Sequence, residues 1–332
     1  SNNSWGNGTN GNVYGALEAQ FDGFVRDASL SPTVDPITLI FSAGNSGAVG
    51  LTRPKAAKNL IAVGNSEGLR SELGGAGANN MDDLAGDSSR GPTADGRIKP
   101  DVVAPGTAIT GGRSGSDNLS GNIDAFHRWS SGTSHSAAQI SGAAALFSSY
   151  YAQWTGERVT PSLIKAALIN SAVDLNGQGT SAAVPNGSEG WGRPNMKNML
   201  IPGVNVKYVN ELTELSNTGQ VATIPGSVAD GSKPVRVTLV WTDPPGATDP
   251  ALVNNLDLEV TVGGTTYKGN VFSNGVSVTG GNADTVNNVE CVFLPAGIQS
   301  GSGLSVKVTA TGLNGDGVLN NGDPTDQKYS LI

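Results

Sequence analysis

Gly86-Asp87-Ser88-Ser89-Arg90-Gly91-Pro92 leads into Ile98-Lys99-Pro100-Asp101-Val102-Val103-Ala104-Pro105-Gly106-Thr107, and further on Gly132-Thr133-Ser134 stands directly before the best helical pattern of the chain. In the first stretch Asp101-Val102-Val103-Ala104 has the pattern of a short buried strand, stopped by Pro105-Gly106. In the second, Ile140, Ala144, Phe147 and Tyr151 share one face of a helix predicted over Ser134–Tyr151. A serine at a helix amino end ordinarily caps it. Here Gly132 permits close backbone approach, and the helix end offers free N–H groups and a positive dipole end to a developing oxyanion. Gly142, inside the helix, costs about 1 kcal/mol relative to alanine, which predicts a tight packing contact there.

Outward from this centre the pattern has two halves. Leu17, Phe21, Phe24 and Val25 recur at helical spacing between Tyr14 and Asp27. Ile37–Phe41 and Leu60–Val63 read as buried strands, and Pro161 opens a helix to about Val173. Strands alternating with helices predict an α/β fold with a mainly parallel sheet covered on both faces. After Trp191-Gly192-Arg193-Pro194 no helix is expected. Val235/Val237/Leu239/Trp241, Leu256/Leu258/Val260/Val262, Val289/Cys291/Phe293 and Leu304/Val306/Val308 alternate with polar neighbours instead. Such period-two runs predict an all-β sandwich or jelly roll, with the boundary between 1–202 and 203–332. Cys291 falls on an inward-facing position as a small core residue.

Composition narrows the chemistry. The chain has 332 residues, 47 of them glycine, a formal net charge of −8, one cysteine and two histidines. The acidic balance argues against nucleic acid, and no apolar run is long enough to span a bilayer. A single cysteine excludes an intramolecular disulfide framework, and two histidines argue against a zinc site. The chain opens Ser1-Asn2-Asn3-Ser4-Trp5 with neither an initiator methionine nor a signal segment, and reads as a piece of a longer precursor.

Residues 86–107 together with Gly132-Thr133-Ser134 closely resemble the corresponding motifs of subtilisin-like serine proteases, the alkaline branch with a C-terminal jelly roll in particular. Ala43-Gly44-Asn45 resembles the family's oxyanion motif, Asn3-Ser4-Trp5-Gly6 its substrate-binding strand and Gly190-Trp191-Gly192-Arg193 the end of its catalytic domain. The second half resembles the β-domain through Leu252–Leu258 and Asn287–Glu290. The resemblance implies a serine endopeptidase in which Ser134 attacks the peptide carbonyl and the Asn45 amide helps bind the oxyanion. It implies a substrate-binding cleft walled by Ser4, Trp5 and Gly6 on one side and Ser42, Ala43 and Gly44 on the other, with Thr133 beside it. It also implies export from the cell and structural Ca²⁺, for which Asp257, Asn287 and Glu290 are the candidate ligands in the β-half.

Two departures from the family pattern stand out. The order of the triad is Asp, His, Ser, yet no Asp-Thr-Gly or His-Gly-Thr-His segment occurs here. His135 is rotated by about 100° from Ser134 on the helix, and His127 lies in an irregular stretch as a surface residue. An N-terminal fragment of the same precursor carrying Asp and His is therefore the expected partner. A truncated gene product and a protease-derived peptide-binding protein are the alternatives. The second departure is Gly-Thr-Ser-His-Ser-Ala-Ala, which places Ala138 where the family has proline and leaves acyl transfer in place of hydrolysis as a variant reading.

Overall fold

The computed structural model describes residues 1–8, 11–73, 77–115, 120–180, 183–201, 203 and 205–332. Pro202, the expected end of the first domain, lies outside the described residues. The first half builds a parallel sheet in the order β1 (Asn2–Asn3), β2 (Ile40–Ser42), β3 (Ile61–Ser66), β4 (Val102–Pro105). Helix α1 (Ala16–Arg26) lies in the long connection between β1 and β2. A small antiparallel hairpin of β5 (Ile109–Gly112) and β6 (His127–Ser130) follows, then α2 (Thr133–Thr155), α3 (Pro161–Ser171) and the one-turn α4 (Met196–Leu200).

Helix α2 covers one face of the sheet. Ala137, Ile140, Ala144 and Phe147 pack with Ile40, Ile61, Val63 and Val102 in one core. On the other side Val25 of α1 joins Leu39, Phe41, Leu60 and Ala62. Helix α3 begins with Pro161 in its first turn and is capped by Thr160, whose side chain accepts from Leu163 N. Nearly every residue of α3 is buried, Lys165 included.

Three expectations are corrected. Helix α1 buries Glu18 and Asp22 as well as Val25, while Phe24 is exposed, because both carboxylates meet cations: Arg53 for Glu18 and Lys58 for Asp22. Gly142 meets nothing within 4 Å of where a Cβ would stand, so no packing contact holds it. Helix α4 forms where no helix was expected, its amino end capped by the Asn195 side chain, which accepts from Lys197 N and Asn198 N.

The second half is all β. Strands β7 (Val209–Leu215), β8 (Val221–Ser227), β9 (Val235–Val240), β10 (Asn255–Val262), β11 (Thr265–Lys268), β12 (Phe272–Ser273), β13 (Val276–Ser277), β14 (Val289–Leu294), β15 (Gly303–Gly312) and β16 (Gln327–Leu331) follow one another. They form two four-stranded antiparallel sheets, β11-β10-β15-β8 and β14-β9-β16-β7, with β12-β13 as a separate hairpin. Leu256, Leu258 and Val260 of the first sheet share a core with Leu239, Val292 and Tyr329 of the second. The outer face of β14 is covered too: Val289, Cys291 and Phe293 join the core of α2 and α3. Cys291 is a fully buried free thiol, as expected. Among the described residues no helix is long and apolar enough to cross a membrane.

A buried ion cluster joins the halves. Lys58 Nζ lies 3.2 Å from both Asp22 and Asp243, with all three side chains wholly buried, and it donates to Pro244 O and Ala251 O. Asp243 also accepts from Val253 N and Asn254 N. Removing one member of such a cluster leaves charge and N–H groups without compensation. Asp243→Ala is expected to lower unfolding free energy by about 3 kcal/mol. A loss below about 1 kcal/mol in denaturant titration, the range of an exposed pair, would refute this role.

Candidate active site

Ser134 occupies the second position of α2, after Gly132 as N-cap and Thr133. Gly132 has φ +148°, in the region favouring glycine, and a Cβ there would stand 3.1 Å from Asn45 Nδ2. A second glycine lets the chain close on this end. Gly106, from the Pro-Gly-Thr motif, accepts a hydrogen bond from Gly132 N at 3.0 Å, and a Cβ on it would strike Ser136 Oγ, Asn65 Oδ1 and Gly132 O.

Asn45 is held by its carbonyl. Its Oδ1 accepts from Thr133 N at 2.9 Å and from Thr133 Oγ1 at 2.8 Å, and Thr133 Oγ1 in turn accepts from Gly44 N at 3.2 Å. The Asn45 NH₂ is thereby left at the helix amino end with no protein partner among the described residues. The half-buried Ser134 likewise has a free Oγ and a free N–H, the latter an orphan donor of the first helical turn. Two N–H donors and a hydroxyl at the positive end of a 23-residue helix can attack a carbonyl and hold the resulting oxyanion.

The segments expected as cleft walls lie near this helix end. Ser4 Oγ donates to Ser134 O at 3.1 Å, fixing the 4–6 segment beside Ser134. Trp5 is about half exposed, 48%, and packs edge-on against Phe41, so it serves both cleft and core. Opposite, Ser42 ends β2, Ala43 N donates to Val63 O, and Gly44 O accepts from Ser89 N. Two residues that no motif singled out, Thr52 and Lys55, link these segments. The Thr52 side chain lies against both Gly6 and Gly44. Lys55 Nζ donates to Trp5 O at 2.8 Å, Thr52 Oγ1 at 2.8 Å and Arg53 O at 3.0 Å. Only a lysine placed among apolar residues just before β3 could have pointed to it.

Neither histidine reaches Ser134. His135 Nε2 pairs with Ser130 Oγ at 2.7 Å, and burial lowers its pKa. The exposed His127 pairs through Nδ1 with Asp124 at 2.9 Å. Ala138 is exposed on the second turn. In the β-half, Asn287 Oδ1 accepts from Ile98 N and Asp257 Oδ1 accepts from Asn255 and Thr311. Glu290 Oε2 accepts from Leu258 N while its Oε1 is unpartnered, and burial raises its pKa well above the usual carboxylate range. These donors are mostly committed to protein, and among the described residues no group of three or more His, Cys, Asp or Glu is gathered to hold a metal.

Burial lowers the Lys55 ammonium to about 7. Since its folded pKa lies below its unfolded value, the unfolded chain binds more protons between about pH 7 and 10.5. Stability from this group is therefore smallest below pH 7 and rises with pH across that window, by at most about 1.4 kcal/mol per unit. Lys55→Met is expected to flatten that rise in denaturant titrations; an unchanged slope would exclude the buried cation as its source.

Comparison with known proteins identifies a family. The subtilase family matches residues 1–192. The chain is similar to the serine protease/ABC transporter B family protein tagD of Dictyostelium discoideum, 32% identical over 307 residues, covering 71% of this chain and 16% of that protein. It is also similar to subtilisin-like protease SBT4.9 of Arabidopsis thaliana, 32% identical over 127 residues, covering 36% and 17%. The CO(2)-response secreted protease of Arabidopsis thaliana is 35% identical over 94 residues, covering 27% and 12%. The chain thus spans less than a fifth of each of these relatives. Among solved structures, the prenylagaramide maturation protease PagA is 25% identical with a TM-score of 0.37, covering 50% of each chain. With the family matched over more than half its length, this chain belongs to the subtilases.

Proposed function

We propose that the chain is the nucleophile-bearing part of a serine endopeptidase that cleaves peptides through an acyl-enzyme on Ser134. The observation that carries this is the Asn45–Thr133 pair, which occupies the amide oxygen of Asn45 and leaves its NH₂ beside the free Ser134 N–H. In the proposed reaction an imidazole takes the Ser134 Oγ proton as Oγ attacks the peptide carbonyl. The two N–H donors hold the oxyanion, and the imidazolium returns the proton to the leaving amine. Water then repeats the sequence to release the acid.

The imidazole and its orienting carboxylate come from a segment outside these 332 residues, since His127 and His135 are engaged with Asp124 and Ser130. Strand β1 supports such an addition: it forms one edge of the parallel sheet and pairs only with β2. Peptide substrate runs along the 4–6 segment in extended form. Export belongs to the same reading, in keeping with the relative whose name describes a secreted protease.

A fluorophosphonate probe is expected to label Ser134 when a segment carrying the missing Asp and His is supplied, and not to label Ser134→Ala. Asn45→Leu should lower kcat on the order of 10²–10³-fold, a value known for this family's own asparagine and not a figure from this geometry. A correctly folded assembly that leaves Ser134 unlabelled would favour a peptide-binding protein without catalysis.

A further inference from the structure

Four lysines are essentially buried: Lys55, Lys58, Lys99 and Lys165. Lys58 is paired with Asp22 and Asp243, and both Lys99 and Lys165 with Asp101. Lys55 makes no ion pair among the described residues; its three contacts are two backbone carbonyls and a hydroxyl, with the Trp5 and Phe41 rings 5.9 and 5.6 Å away. A buried ammonium without a countercharge gains from a carboxylate that reaches it.

Its position says where that carboxylate would come from. A Cβ on Gly6 would touch both Lys55 Nζ and Thr52 Oγ1, and a Cβ on Gly44 would stand 3.1 Å from Thr52 Oγ1 and Cγ2. Thr52 therefore touches both segments, with Lys55 Nζ hydrogen-bonded to it. Because Lys55 donates to Thr52 Oγ1, that oxygen is already an acceptor, and its own hydrogen has only Ala43 O at 3.5 Å. A long contact of this kind is weak. Among the described residues it is the sole protein acceptor of that hydroxyl, on a residue that is half-buried.

We propose that Thr52 and Lys55 make the base of the cleft selective for a substrate with an acidic side chain, Asp or Glu, on the residue whose carbonyl Ser134 attacks. The side-chain carboxylate accepts from Thr52 Oγ1, and the Lys55 ammonium behind it supplies the opposite charge. This rests on the reading of Ser134 as nucleophile and of residues 4–6 and 42–44 as cleft walls.

The test is equilibrium binding at pH 6 to the 332-residue chain, with two extended, end-blocked peptides that differ only by Asp or Asn at that position. The Asp peptide is expected to bind about tenfold more tightly, the scale of one charge-assisted hydrogen bond. In Lys55→Met the Asp-to-Asn ratio should fall to about one, on top of any loss common to both peptides from the missing hydrogen bond to Trp5 O. Thr52→Val, which keeps shape and charge, should reduce the ratio as well. Equal affinity in the unaltered chain, or no binding of either peptide at millimolar concentration, overturns the proposal, and so does a Lys55→Met variant weakened equally for both. Fluorophosphonate labelling with the Asp- and His-bearing segment supplied separates the two claims: discrimination without labelling keeps the acid-selective base and removes the catalytic reading, while labelling without discrimination does the reverse.

Discussion

Charge buried in pairs organises this molecule. Asp101 sits at the start of β4, where its carboxylate accepts from Ala62 N of β3 and meets Lys99 at 2.6 Å and Lys165 of α3 at 2.8 Å. One side chain thus joins two neighbouring strands and the helix packed beside them. Lys58 does the equivalent for α1 and the β-half through Asp22 and Asp243. Each ion gives up its hydration, which only close partners and further hydrogen bonds offset. The outcome is positional: an element that drifts leaves a bare charge in the interior, so these contacts restrict the arrangement even where their net contribution to stability is small.

Ser134 inherits its position from that frame. Strand β4 leads directly into Pro105 and Gly106, and Gly106 lies against Gly132 at the start of α2. Strand β2 leads into Ala43, Gly44 and Asn45, and Asn45 closes onto Thr133. Two strands that flank β3 in one parallel sheet therefore deliver the helix end and the amide that flanks it. The serines of the 86–107 stretch connect the same layers: Ser88 Oγ accepts from Asn65 N of β3, and Ser89 Oγ accepts from Ser46 N just past Asn45. The Ser134 hydroxyl needs no tertiary hydrogen bond of its own, because the backbone around it is already fixed, with Ser4 Oγ holding Ser134 O.

Much of this was legible in the order of residues. Strand β10 is exposed to water on one face, so Leu256, Leu258, Val260 and Val262 alternate cleanly with half-buried neighbours. Strand β14 shows the limit of that reasoning: all six of its residues are buried, Glu290 included, since one face meets the other sheet and the other meets α3 and Trp191. The face of α1 was misread because its buried side is ionic, and periodicity of apolar residues carries no record of a carboxylate that finds a lysine far away in the chain. Ser134, Thr133, Gly132 and Asn45 could be picked out by motif, and the hydrogen bonds bring them together. Thr52 and Lys55 could not, because what distinguishes them is a neighbour, Gly6, that folding alone supplies. The hairpin β5–β6, rich in glycine and polar residues, left no periodic trace at all.

The double burial of β14 also bears on how such a chain can be taken apart. Composition changes sharply near residue 200, and a recombination event joining gene segments there would look harmless from sequence. Yet Val289, Cys291 and Phe293 serve as interior for α3 and Trp191 as much as for their own sheet. The α/β half lacks a complete core without them, and the β-half would present a wet apolar wall. Exchange of one half for a foreign counterpart would succeed only if the newcomer carried a matching apolar face together with a carboxylate for Lys58. The two halves are in this sense a single heritable unit, although their sequences look like separate modules.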